Sequence, residues 1–135
     1  MNKIQNLLPF ISPLQWSALA SGCQGEERNF FLEKIAEYSD RVVNMSKVYD
    51  QDGKGDNAIV HLHYFYGSCD WYITERDFED EQHQAFGYAD LGYGGELGYI
   101  SIEELKQNNI EMDLHWTPKT LGEVKKTKPT YVVVE

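Results

Sequence analysis

Arg41-Val42-Val43-Asn44-Met45-Ser46-Lys47-Val48-Tyr49, then Asp50-Gln51-Asp52-Gly53-Lys54-Gly55-Asp56-Asn57, then Ala58-Ile59-Val60-His61-Leu62-His63-Tyr64-Phe65-Tyr66 is the stretch whose reading decides the fold. Two runs rich in β-branched and aromatic residues flank a run of Asp, Gly and Asn, the composition of strands around a turn. The stretch predicts a hairpin. Further strands are predicted at Cys69 to Thr74, Gln84 to Asp90 and Gly98 to Ile100, separated by loops rich in Asp, Glu and Gly.

The segments upstream of the hairpin read as helices. Ser12-Pro13-Leu14-Gln15 supplies a hydroxyl cap, a proline at the first helical position and a glutamine at the third, and Gly22 stops the helix. A second helix is predicted from Glu26 to about Tyr38, because Phe30, Phe31, Ile35 and Tyr38 recur near helical spacing. Downstream, Ser101-Ile102-Glu103-Glu104 is a capping box that opens a short helix over about 101–107. Lys125 to Pro129 reads as a connector to a last strand at Tyr131 to Val134, or as part of a tail. Two helices followed by a meander of strands predict an α+β fold with a mostly antiparallel sheet. A chain of 135 residues holds one such domain, 1–135, since two cores would each be too small.

Composition narrows the function. Aromatic residues make up 13% of the chain, too many for a disordered protein. No apolar run approaches the roughly 20 residues of a membrane span, and the N-terminus lacks a signal-peptide core, so a cytoplasmic protein without membrane contact is expected. Cys23 and Cys69 stand far apart, which suggests neither a disulfide framework nor a zinc knuckle. The net charge of −10 disfavours direct binding to nucleic acid, whose phosphates would repel it. Between Asp70 and Asp113 there are twelve acids against two bases, and the remainder of the chain is neutral. Such an imbalance is either a solvated, solubilising segment or a contact face for a basic groove. The contact reading takes Asp70, Glu75, Asp77, Glu79, Asp80, Glu81, Asp90, Tyr93, Glu96 and Tyr99 as the residues that meet the partner.

Catalytic signatures are sparse. Asp50, Asp52, Lys54 and Asp56 alternate as in a calcium loop, but a lysine takes the third of these alternating positions and His61 the twelfth place in the loop, where a bidentate Glu belongs. His61 and His63 alternate on a strand and could share a metal with His83 or His115 and a carboxylate. No third ligand is grouped with them, so a packed pair without an ion is expected. Glu75, Glu81 and Glu96 could act as paired carboxylates only if the fold joined them. No nucleophile elbow or phosphate loop occurs. No catalytic residue and no cofactor is therefore assigned. Gly87, Gly92, Gly94, Gly95 and Gly98 interleave with Phe86, Tyr88, Tyr93 and Tyr99, which reads as tight turns displaying aromatic rings.

Ile59 to Phe65, Trp71-Tyr72-Ile73-Thr74-Glu75, Ala85-Phe86-Gly87-Tyr88, Gly95-Glu96-Leu97-Gly98-Tyr99-Ile100-Ser101-Ile102-Glu103-Glu104-Leu105 and Asp113-Leu114-His115-Trp116-Thr117-Pro118 occur in this order. In order and spacing they resemble the DUF2958 family, small proteins of bacteria, plasmids and phages. The resemblance spans about residues 58–124. On it, 1–57 is an elaboration of helices and hairpin, and 125–135 is a tail or last strand. The family brings no catalytic residues; it implies a mobile-element setting, where small acidic proteins block defence nucleases. The expected function is thus a non-enzymatic inhibitor of a nucleic-acid-targeting defence system, CRISPR or restriction, whose partner is a protein with a basic nucleic-acid-binding groove. A metal-dependent hydrolase using His61 and His63, and an accessory protein of plasmid transfer, are the alternatives.

Overall fold

The computed structural model describes residues 3–127. The fold is α+β, with its helices mostly ahead of an antiparallel sheet. Helix α1 spans Lys3–Leu7 and is followed by a short 3-10 turn, Leu8–Phe10. Helix α2, Pro13–Gly22, starts as its sequence requires: the Ser12 hydroxyl accepts the Gln15 N–H at 3.1 Å. Helix α3, Arg28–Asn44, is longer than predicted and replaces the first arm of the expected hairpin. Val42 and Val43 suggested a strand, yet Val42 completes a buried stripe with Ile35, Tyr38 and Ser39 at helical spacing. Arg76 then donates to the Val42 carbonyl at 2.8 Å and satisfies one of the helix's terminal acceptors. All that remains of the predicted strand is a single bridge, Lys47 beside Arg76.

The strands are β1, Ile59–Val60; β2, Leu62–Tyr66; β3, Cys69–Glu75; β4, Ala85–Asp90; β5, Gly95–Ile100; β6, Glu111–Met112; and β7, Lys119–Thr120. Five form one antiparallel sheet in the order β5-β4-β3-β2-β6, while β1 pairs with β7. At the centre Gly87 is obligatory, since a Cβ there would lie 2.0 Å from the Tyr72 carbonyl oxygen. Helix α4, Ile102–Gln107, opens at Ser101, whose hydroxyl accepts the Glu104 N–H at 3.1 Å, as the capping box predicted. Helix α5, Leu121–Thr127, occupies part of the segment expected to be a connector. The strand expected at Tyr131 to Val134 lies outside the described residues.

Period-two alternation divides the sheet into two faces. Leu62, Tyr64, Ile73, Ala85, Ile100 and Met112 join Phe10, Leu19, Ile35, Tyr38 and Val42 in the main core beneath the helices. Gln15 anchors α2 to the sheet edge, giving its side-chain N–H to the Met112 carbonyl at 2.8 Å and accepting the Met112 N–H at 2.9 Å. On the opposite face Tyr72 and Tyr88 pack with Val60, Trp116, Leu121 and Val124, so α5 covers the middle of that face. Beside it Phe86, Leu97 and Tyr99 of the same face line a cleft with the loop that follows α3. No helix among the described residues is long and apolar enough to cross a membrane.

Candidate functional site

An irregularity in β3 creates the site. Ile73 pairs with Gly87 but Glu75 pairs with Phe86, so Thr74 is an extra residue and a bulge. Without it Thr74 would oppose Phe86 and Glu75 would turn to the helix-covered face; the bulge re-aims Glu75 onto the second face. There its carboxylate, 4% exposed, accepts the backbone N–H groups of Tyr49 at 2.9 Å and Gln51 at 3.0 Å. Gln51 fastens the same loop, donating to the carbonyls of Ile59 at 2.9 Å and Thr74 at 2.7 Å. Asp50 accepts the Lys47 N–H at 2.8 Å and closes the turn that leads into it.

These bonds hold Tyr49 at φ 79°, in the left-handed region that a bulky side chain rarely adopts. Its hydroxyl meets that of Tyr99 at 3.2 Å, and Tyr99 stands edge-on to Phe86 at 5.6 Å. Between the loop and the sheet a cleft of about 410 Å³ opens, walled by Tyr49, Phe86, Leu97 and Tyr99, with Glu75 and Asp52 also lining it. The hydrogen bond to Tyr49 pushes the Tyr99 phenol up from its ordinary value, reinforced by the neighbouring Tyr49 hydroxyl and, to a lesser degree, by Glu75 and Asp52. Tyr49 and Tyr99 are 67% and 59% exposed, so the rings are available to a ligand.

The ten residues expected to meet a partner fall at two ends of the sheet. Glu75, Asp77, Glu79, Asp80, Glu81 and Tyr99 lie at the end where β3 passes to β4; Asp70, Asp90, Tyr93 and Glu96 lie at the other. Four residue steps along β4, roughly 14 Å, separate the Phe86 and Asp90 registers. The acidic segment is therefore not one continuous face. Asp77 and Asp90 are buried and serve their own turns: Asp77 accepts the N–H groups of Glu79 and Gln84, and Asp90 that of Gly92. Asp70 bonds to His63. Glu79, Asp80, Glu81, Tyr93, Glu96 and Tyr99 are exposed, Tyr93 almost fully so on its turn between Gly92 and Gly94.

The two histidines reach different partners. His61 Nε2 lies 3.3 Å from the Ser46 hydroxyl; burial and then the nearby Arg41 hold its pKa below the usual histidine value. His63 stacks on Tyr72, with ring centres 4.8 Å apart, and its two nitrogens face Asp113 at 2.9 Å and Asp70 at 2.8 Å. Because those carboxylates sit on opposite sides of the ring, they do not converge on a point. Among the described residues no group of three or more His, Cys, Asp or Glu is placed to hold a metal ion. Glu75, Glu81 and Glu96 are also separate: Glu75 lines the cleft, Glu81 borders a shallow hollow with Leu8 and Glu103, and Glu96 pairs with Ala89 near the far turn. The sequence marked Phe86 and Tyr99 as displayed rings but missed Tyr49, Gln51 and Leu97. Their role depends on the bulge at Thr74, for which the sequence carries no signal.

No curated protein and no solved structure matches this chain. A family model described as a protein of unknown function, DUF2958, matches residues 35–123, from the second half of α3 through the bulged sheet to α5. The match takes in the Tyr49 loop and every residue lining the cleft, and reaches further toward the N-terminus than the motifs from 58 onward. With 89 of its 135 residues under that match, the chain belongs to the DUF2958 family.

Proposed function

We propose that this protein is a non-enzymatic binding protein that captures a basic protein partner through the acidic, aromatic end of its sheet. Its use would be to oppose a nucleic-acid-targeting defence system, CRISPR or restriction, by occupying that partner's nucleic-acid groove. The observation that carries the binding reading is the composition of the cleft. Its titratable lining is Tyr49, Asp52, Glu75 and Tyr99, without a histidine, cysteine or lysine. Each Glu75 oxygen already takes a backbone N–H, so that acid holds the loop in place and is not poised as a base. Aromatic walls with carboxylates favour recognition of a cation over bond-making chemistry. Glu79, Asp80 and Glu81, exposed at the same end of the sheet, extend the negative field into solvent.

The test is the efficiency with which a targeted plasmid becomes established in cells carrying an active CRISPR or restriction system. The wild-type protein should raise it, and the variant Glu79→Ser, Asp80→Asn, Glu81→Ser should not. Equal rescue by both, or by neither, removes this reading.

A further inference from the structure

We infer that the cleft between the Tyr49 loop and the sheet is a receptor for one arginine side chain of the partner, presented on an extended segment that runs beside β5. This rests on the binding reading above and specifies its ligand. The first argument is shape. Phe86 and Tyr99 stand at 86° to each other, and Tyr49 approaches Tyr99 from the opposite element through the hydroxyl contact. The ring faces that border the cleft attract a flat cation, and a guanidinium stacks on aromatic faces where an ammonium makes only a point contact.

The second argument is charge. Glu75 is a buried carboxyl group whose two oxygens each accept one N–H, which leaves further acceptor positions on both for a planar fork. Asp52 is exposed beside it. No Lys or Arg lines the cleft among the described residues, so no internal cation is seated there. The third argument is access. Leu97 and Tyr99 belong to β5, outermost in its sheet among the described residues, where an added extended chain can place alternate side chains toward the cleft. The protein also holds the receptor shape before any ligand arrives, because Glu75 and Gln51 pin the loop and hold Tyr49 in its left-handed conformation. Preorganisation of this kind lowers the ordering cost of binding.

The experiment is an NMR titration of the isotopically labelled full chain with a blocked pentapeptide of threonine and valine carrying a central arginine, and with the same peptide carrying citrulline, its neutral counterpart. The arginine peptide should shift the amide signals of Tyr49, Gln51, Leu97 and Tyr99, and the citrulline peptide should bind at least about tenfold more weakly. Tyr99→Ala should weaken arginine-peptide binding by a similar factor, while Tyr99→Phe, which keeps the ring, should stay within about threefold of wild type. Because Tyr99 is exposed, both variants should fold, and unchanged urea midpoints would verify it. Equal binding of the two peptides, shifts confined to other parts of the chain, or no shift at all overturns the inference. The plasmid assay with the Glu79–Glu81 variant addresses the binding reading alone, so either can fail without the other.

Discussion

Tyr49 carries the most backbone strain in the cleft. At φ 79° its Cβ crowds the following carbonyl, a conformation that costs about 1–2 kcal/mol for an L-residue. The carboxylate of Glu75 offsets this by accepting the Tyr49 and Gln51 N–H groups. Tyr49→Gly should therefore leave stability toward urea within about 1 kcal/mol of wild type, whereas Tyr49→Val, branched at Cβ, should lose more than that. A valine variant as stable as the glycine one would mean that the loop does not hold this φ. Glu75→Gln replaces one acceptor with a donor facing a backbone N–H, and should cost about 2 kcal/mol in the same measurement. His61 gives a pH signature. Burial and Arg41 depress its pKa in the folded state, so the unfolded chain binds more protons, and stability should fall as pH drops through about 6.5 toward the folded value. The decline in urea midpoint between about pH 7.5 and 5.5 should be smaller in His61→Gln, because the histidine's proton linkage is then absent. Equal declines would count against the buried, neutral state of this ring.

Among the elements, β3 and β4 set the geometry on which the cleft depends. Gly87→Ala should be strongly destabilising, by about 2 kcal/mol or more, because the added methyl meets a backbone oxygen that no rotamer change can move. A melting temperature near wild type would show that the strands separate more readily than the register implies. The elements with local signatures were legible in the sequence: Ser12 and Ser101 cap the helices they were expected to cap, and Cys69 to Thr74 and Gln84 to Asp90 agree with β3 and β4 to within one residue at each end. What misled the reading between Arg41 and Tyr49 was intrinsic preference. Val42, Val43 and Val48 favour strands, but burial of Val42 beside Tyr38 rewards continuing the helix, and tertiary packing outweighs differences of a few tenths of a kcal/mol in propensity. Helix α5 was missed for the converse reason: Lys125 to Pro129 reads as a connector, although Leu121 and Val124 are buried and Lys125 lies over the Tyr88 ring while pairing with Asp56 at 2.7 Å.

At the scale of the whole molecule the charge balance was readable, but its division was not. Twelve acids between Asp70 and Asp113 looked like one face because sequence proximity stood in for spatial proximity. The antiparallel register sends Asp70 and Asp90 to one end of the sheet and Glu75 to the other, and burial of Glu75, Asp77 and Asp90 makes them internal acceptors. The exposed acids Glu79, Asp80 and Glu81 remain at the same end of the sheet as the cleft, with Asp80 3.6 Å from Arg76, and local charge there should govern association more than the total of −10. The measurement that tests this most directly is a calorimetric titration of the full chain with a basic protein that co-purifies with it from its host. It should be run at about 0.1 M salt, where screening acts over about 10 Å, and at about 1 M, where it acts over about 3 Å. Three proteins are compared: wild type, the Glu79→Ser, Asp80→Asn, Glu81→Ser variant, and a control with Glu26, Glu27 and Glu33 each changed to Lys on the exposed N-terminal helical region. The account predicts that wild type and control bind alike and weaken with salt, and that the loop variant binds more weakly at low salt with a flatter salt dependence. Equal weakening in both variants, or in neither, would contradict recognition through this end of the sheet.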